Sequence, residues 1–89
     1  MIKFDIEVLK SMPYASLKDL DENLSKALEG ANKFKEFHRR RGEITKAAEC
    51  EASAISITEN IDSLRLVMFL KESEALESFQ FGNEPLSLN

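Results

Sequence analysis

A seven-residue repeat of apolar and small residues occurs twice in this 89-residue chain, and the two copies mirror each other about Gly42. The first copy advances in alternating steps of three and four residues through Leu17, Leu20, Leu24, Ala27, Ala31, Phe34 and His38. The second copy takes the same steps through Ala47, Cys50, Ala54, Ile57, Ile61, Leu64 and Met68. Because such steps place side chains on one side of a helix, the sequence predicts two helices, each with one packing stripe.

The mirror arrangement also predicts how the two helices pack. In an antiparallel pair Phe34 lies opposite Cys50, so that a large side chain meets a small one, as in packed interiors. Glycine adopts the left-handed conformation that ends many helices at no steric cost. We therefore predict a mainly α fold, an antiparallel αα-hairpin with a helix at about 16–41, a bend at Gly42 and a helix at about 44–78.

The two ends of the chain have a different pattern. Residues 1–10 alternate apolar and mostly charged side chains with a period of two, which predicts a short β-like arm. Ile2, Ile6 and Leu9 would also suit a short helix, which stays an alternative. The apolar members of the arm are Ile2, Phe4, Ile6 and Val8. Residues 79–89 form a tail that alternates as well and could pair with the arm. Ser16 and Asp19 resemble a capping box, which predicts that the first helix begins near Ser16.

The second helix has more apolar residues than one packing stripe can bury against the first helix. Its additional apolar residues include Ile44, Ala48, Ala52, Ile55, Leu66, Val67, Phe69, Leu70 and Leu76. Apolar surface of this extent typically marks an interaction site. A homodimer that forms a four-helix bundle would cover this surface, and a different protein partner could do so instead. The expected partner-binding residues are Ile55, Leu66, Phe69 and Leu70.

Composition excludes several classes of protein. The chain is 43% hydrophobic and 31% charged, as expected for one folded domain that spans residues 1–89. A single cysteine excludes an internal disulfide and is compatible with the cytoplasm, where we expect the protein. The longest apolar run, LVMFL, is too short to span a bilayer. The net charge of −4 argues against general nucleic-acid binding.

The middle of the chain is basic although the whole chain is acidic. Residues 25–46 contain seven Lys or Arg against three Glu. Glutamates precede Lys26, Lys33 and Arg40 by four residues, a spacing that favours ion pairs along a helix. The other cations form a possible site for phosphate groups or for an acidic partner: Lys35, Arg39, Arg41 and Lys46. A nucleic-acid-binding hairpin is therefore an alternative function.

No cluster of residues predicts catalysis or metal binding. His38 is the only histidine and Cys50 the only cysteine, and both lie on the packing stripes, where we expect core residues. A metal site needs more ligands of these types. The sequence also lacks a glycine-rich phosphate loop and a hydroxyl-nucleophile motif. We therefore expect no enzyme activity and no cofactor.

The stretch SKALEG, Ser25 to Gly30, resembles the inhibitory helix of Fic-type AMP-transferase antitoxins, in which Ser or Thr precedes Glu followed by Gly or Asn. In that family the glutamate pairs with an active-site arginine and blocks productive ATP binding. The resemblance implies that Glu29 is the inhibitory residue and that Ser25 supports the helix. A second short stretch, GEIT at 42–45, is similar to a segment of some small antitoxins of that group. An antitoxin is thus a further alternative.

The surplus of apolar helix surface decides which function we expect. A short, acidic chain without catalytic motifs and with uncovered apolar surface is typical of a protein that acts by binding. The sequence therefore predicts a small non-enzymatic regulator or inhibitor that binds another protein, as a helical-hairpin dimer.

Overall fold

The computed structural model describes the backbone of residues 3–82 and the side chains of residues 3–77, and it contains three helices in this range. Helix α1 spans Ile6–Ser11, α2 spans Tyr14–Arg40 and α3 spans Ile44–Gly82. Helices α2 and α3 pack against each other along an elongated molecule of 67 × 21 × 17 Å. The predicted mainly helical hairpin is confirmed.

The bend between α2 and α3 is a Schellman motif centred on Gly42. Gly42 has a φ of 75°, in the left-handed region, and its N–H donates to the carbonyl of Arg39 at 3.1 Å. The N–H of Glu43 donates to the carbonyl of His38 at 2.9 Å. These bonds satisfy two carbonyls that the end of α2 would otherwise leave without partners. The bend predicted at Gly42 is confirmed.

Polar contacts between α2 and α3 show how the two helices of the hairpin are aligned. The Tyr14 hydroxyl donates to Glu72 near the open end, and Lys35 donates to Glu51 at 2.8 Å near the bend. The members of each pair are equally far in sequence from Glu43, one residue beyond the mirror point predicted from the apolar stripes. The two helices are therefore antiparallel neighbours with the expected alignment.

The buried core lies in the open half of the hairpin, where all three helices meet. Its fully or nearly fully buried members are Leu9, Leu17, Leu24, Ile57, Ile61, Leu64 and Val67. On α3 the predicted stripe is buried or half-buried throughout, from Ala47 to Met68. Near the bend only small residues are buried, namely Ala47 and Ala54.

The predicted stripe of α2 is wrong at two positions. Ala27 is exposed and Phe34 is 61% exposed, whereas Leu28 and Lys35 are half-buried in their place. Ala31 and His38 remain half-buried on the predicted stripe, so the contact side of α2 widens towards Leu28 and Lys35 after Leu24. This is the direction in which a strict seven-residue repeat drifts around a helix, by about 20° per repeat.

The β-like arm predicted for residues 1–10 is wrong within the described residues, because the chain forms α1 there. The side chain of Asp5 accepts a hydrogen bond from the N–H of Glu7 at 2.9 Å and caps the helix. The strand pattern would bury Val8, but Val8 is 56% exposed and Leu9 is 2% exposed in the core. A single strand without a partner leaves its backbone groups unpaired, whereas a capped helical turn satisfies its own.

The predicted ends of the two long helices also need correction. Helix α2 begins at Tyr14, directly after Pro13, and no side chain caps it, so the capping box at Ser16 does not form. Proline suits a position just before a helix because its missing N–H has no helical partner there. Helix α3 continues through residues 79–82, which were predicted as tail, and residues 83–89 of the tail lie outside the described residues.

Candidate functional site

The side of α3 that points away from α2 is exposed, and we call it the outer face. It lies about half a turn from the buried residues Ile57, Ile61 and Leu64. The outer face comprises ten exposed residues and the half-buried Ser73: Ile44, Ala48, Ala52, Ile55, Glu59, Asp62, Leu66, Phe69, Leu70, Ser73 and Leu76. Its six large apolar side chains are between 38% and 69% exposed. Helix α3 is therefore apolar on two opposite sides, of which only one packs against α2.

The four residues predicted to bind a partner all lie on the outer face. Ile55, Leu66 and Phe69 are 52%, 53% and 62% exposed, and Leu70 is 38% exposed. The structure thus brings these side chains together on one accessible surface. Whether a partner occupies this surface stays a prediction.

Helix α1 covers a different side of α3, which the sequence did not distinguish from the outer face. Val67 belongs to the predicted surplus, yet it is 0% exposed and packs with Leu9 in the core cluster. Asn60 is 1% exposed, and its Oδ1 accepts a 2.9 Å hydrogen bond from the N–H of Phe4. The N-terminal segment therefore covers part of the additional apolar surface of α3, and the outer face is the part that stays exposed.

Two carboxylates interrupt the apolar residues of the outer face at its middle. Ile55, Glu59, Asp62 and Leu66 follow one another in steps of four, three and four, so they lie along one line on the helix. Glu59 and Asp62 are both exposed, and within the described part of the chain neither forms an ion pair. This spacing is visible in the sequence, but our prediction considered only apolar residues and missed it.

The cations predicted as a phosphate or acidic-partner site all have carboxylate partners within the chain. Lys35 pairs with Glu51 at 2.8 Å, and Arg41 and Lys46 pair with Glu43 at 3.5 and 3.9 Å. Arg39 donates twice to Glu36 at 2.8 Å, whereas Arg40 lies 3.7 Å from the same carboxylate. A phosphate group would have to compete with each of these pairs. Nucleic-acid binding stays a prediction.

Glu36 pairs most closely with a different arginine from the one that the sequence spacing predicts. The four-residue spacing predicts Arg40 as its partner, but the nearer partner is Arg39, three residues on, whose Nη2 donates to both carboxylate oxygens at 2.8 Å. Short charge-assisted hydrogen bonds are stronger than a single long contact. The hydrogen bond from Arg39 holds the pKa of Glu36 below its ordinary value. The predicted pair of Glu29 and Lys33 does form, at 3.9 Å.

Glu43 is the centre of the charge cluster at the bend. It lies 2.8 Å from Nδ1 of His38 and also pairs with Arg41 and Lys46. The hydrogen bond with His38, together with the nearby charges of Lys46 and Arg41, holds the pKa of Glu43 below its ordinary value. His38 is thus engaged with a carboxylate beside the bend, and its ring also meets Phe37 edge-on. These two contacts hold the His38 side chain beside the bend.

The residues of the antitoxin-like stretch lie in the middle of α2. Ser25 contacts the Arg65 guanidinium of α3 at 3.5 Å, which also pairs with Asp21 at 3.2 Å. The Glu29 side chain is 68% exposed. No atom lies within 4 Å of the position that a side chain at Gly30 would occupy, so packing does not require glycine there. The inhibitory role of Glu29 stays a prediction.

The described residues offer no other site of recognisable chemistry. Among them, no group of three or more His, Cys, Asp or Glu side chains is arranged to hold a metal ion. No described helix has an apolar stretch of the length that crossing a membrane requires. Comparison of the chain with protein-family models, with curated proteins and with solved structures finds no match in any of the three.

Proposed function

We propose that this protein is a non-enzymatic regulator or inhibitor that acts in the cytoplasm by binding another protein through the outer face of α3. The observation that carries the proposal is the exposure of six large apolar side chains along one side of one helix. Exposed apolar patches of this kind mark interaction surfaces in soluble proteins. Other sides of α3 pack against α2 and α1, which leaves the outer face for a partner.

The arrangement favours recognition of a helix. The side chains of the outer face recur at helical intervals from Ile44 to Leu76, apolar except at Glu59, Asp62 and Ser73, and they form a line rather than a pocket. A partner helix with apolar residues at the same intervals can lie along this line. Phe69 and the adjacent Leu66 and Leu70 form its most apolar part and are the expected centre of binding energy.

Site-specific photo-crosslinking in the cells that produce the protein tests this proposal. A photoreactive amino acid replaces Phe69 on the outer face or, as the matched control, Glu22 on the exposed side of α2. We expect a defined adduct with another protein from position 69 only, and we expect Leu66→Asp to abolish it. Equal adducts from both positions, or an adduct at position 69 that survives Leu66→Asp, would contradict the proposal.

A second copy of the chain is another candidate occupant, and one feature of the outer face favours it. Two pairs of its apolar residues are placed symmetrically about residues 60 and 61, so that two antiparallel copies set Ala52 against Phe69 and Ile55 against Leu66. The four α2 and α3 helices would then form the four-helix bundle expected from the sequence. Sedimentation equilibrium distinguishes this homodimer from a monomer that binds a different protein.

A further inference from the structure

We propose that the occupant of the outer face is an amphipathic helix of another protein, with Lys or Arg at the middle of its binding side and apolar residues on both flanks. This inference rests on the proposed function and specifies the chemistry of the partner. It depends on the position of Glu59 and Asp62, which lie midway between the ends of the outer face at Ile44 and Leu76.

The flanking apolar residues determine where the partner must lie. Ile55 precedes Glu59 by one helical turn and Leu66 follows Asp62 by one turn, and both are about half exposed. A helix that covers Ile55 and Leu66 together therefore necessarily covers the two carboxylates between them. The whole outer face is about 48 Å long, at 1.5 Å per residue from Ile44 to Leu76, which a partner helix of about 32 residues would match.

Covering these carboxylates with an apolar surface is unfavourable. A carboxylate that loses water needs a charged or hydrogen-bonding partner to compensate. No described Lys or Arg is within ion-pair distance of Glu59 or Asp62, so the chain itself does not supply that partner. A Lys or Arg on the bound helix would supply it through charge-assisted hydrogen bonds.

The same two residues disfavour a second copy of the chain as the occupant. In the symmetric antiparallel dimer, Glu59 of one copy lies opposite Asp62 of the other, which brings four carboxylates together at the centre. A parallel dimer places each carboxylate opposite the same carboxylate of the other copy. Like charges that face each other across an interface weaken it and select against that pairing.

A pair of synthetic helical peptides tests the inference on the purified full-length chain. Both peptides carry Leu at the positions that face the apolar residues, and they differ only at the two central positions, which are Lys in one and Glu in the other. Binding is measured by fluorescence anisotropy at physiological salt. We expect the Lys peptide to bind at least about tenfold more tightly than the Glu peptide.

The variant Glu59→Gln with Asp62→Asn is expected to reduce this preference to less than about threefold. The matched control is Asp19→Asn with Glu22→Gln, which makes the same chemical change at the same spacing on the exposed side of α2. Because both double variants have the same net charge, the control removes the effect of overall charge. We expect it to retain the full preference. If the control variant loses the preference for the Lys peptide to the same extent as the Glu59→Gln, Asp62→Asn variant, the inference is overturned.

The outcomes separate this inference from the proposed function. If both peptides bind with equal affinity and Leu66→Asp abolishes this binding, the inference of a basic residue at the centre of the partner helix is overturned. The proposal that the outer face binds a protein then still stands. Binding of neither peptide, or binding that Leu66→Asp leaves unchanged, would contradict both. Tight self-association of the wild-type chain that excludes the peptides would identify a second copy as the occupant and overturn the inference.

Discussion

The backbone N–H of Phe4 donates a 2.9 Å hydrogen bond to Oδ1 of Asn60, a residue that is 56 positions away and 1% exposed. This bond joins the N-terminal segment to α3 at the point where α1 begins to cover the core. Together with Leu9, it explains why one side of α3 is buried under α1 while the outer face remains accessible.

Replacement of Asn60 by Leu should destabilise the protein by about 1–3 kcal/mol, because the N–H of Phe4 loses its acceptor in a partly buried position. Urea unfolding measures the loss. Hydrogen exchange at the amide of Leu9 should also become faster as α1 detaches more often. The control Asn23→Leu, at an exposed position of α2, should leave stability unchanged or slightly higher. Equal effects of the two substitutions would show that Asn60 does not hold α1.

Two leucines of α3 test which side of this helix forms the core. Leu64 is 0% exposed and Leu66 is 53% exposed. Leu64→Ala should cost about 2–5 kcal/mol of unfolding free energy, because it leaves a cavity among packed side chains. Leu66→Ala should change that free energy by less than about 0.5 kcal/mol in the isolated chain. If Leu66→Ala proves the more damaging substitution, the outer face is buried in solution.

Gly42 at the bend and Gly30 within α2 should respond to alanine in opposite directions. Gly42 has a φ of 75°, so Gly42→Ala should destabilise the protein by about 1–2 kcal/mol through backbone strain alone, with no atom within 4 Å of the new methyl group. Gly30 lies inside α2 with open space around it, so Gly30→Ala should stabilise the protein by about 0.5–1 kcal/mol. Thermal unfolding of both variants provides the test. A stabilising Gly42→Ala would rule out the left-handed bend.

Acid should weaken the bend through Glu43. The pKa of Glu43 is below its ordinary value of 4.5 in the folded chain, mainly because of its hydrogen bond with His38. Its stabilising effect is therefore complete above the unfolded pKa and is lost as pH falls through the lower folded pKa. Between neutral pH and about pH 3, Glu43→Gln should lose less stability than the wild type in urea unfolding. An unchanged pH dependence in this variant would contradict the charge cluster at the bend.

The hairpin could be predicted from the sequence because the residue patterns that specify it are local and periodic. The stripe from Ala47 to Met68 and the left-handed preference of Gly42 each act within a few helical turns. The mirror relation between the stripes then aligns the helices, and the structure agrees to within one residue. The exposure of Phe34 was not predicted, and the half-buried Lys35 beside it lies on the side towards which a strict seven-residue repeat drifts.

The N-terminal helix could not be predicted in the same way, because its pattern is ambiguous over so short a length. Ile6 and Val8 fit a strand, whereas Ile6 and Leu9 fit a helix, and the choice depends on contacts with distant residues. Asn60 is one such contact, and nothing near residue 4 in the sequence indicates it. The partner of Glu36 was missed for a different reason, since Arg39 and Arg40 both lie within its reach.

The sequence allowed the exposed apolar residues of the candidate site to be predicted, but not the role that we propose for its two carboxylates. Ile55, Leu66, Phe69 and Leu70 were identified as surplus to one packing stripe, and the structure leaves all four exposed. The meaning of Glu59 and Asp62 depends on which side of α3 is covered by α1, and this becomes visible only when the N-terminal segment is placed. Once the outer face is defined, two charges within its apolar surface bear on the kind of partner that we propose.

The central claim is that the outer face of α3 is open in the free protein and is kept from pairing with a second copy by Glu59 and Asp62. Sedimentation equilibrium of the purified chain at micromolar concentrations tests it most directly. We predict a mass close to the 10.1 kDa of one chain, and a shift towards the dimer when Glu59→Gln and Asp62→Asn remove the central charges. A wild-type mass of twice that value, unchanged by these two substitutions, would contradict the claim.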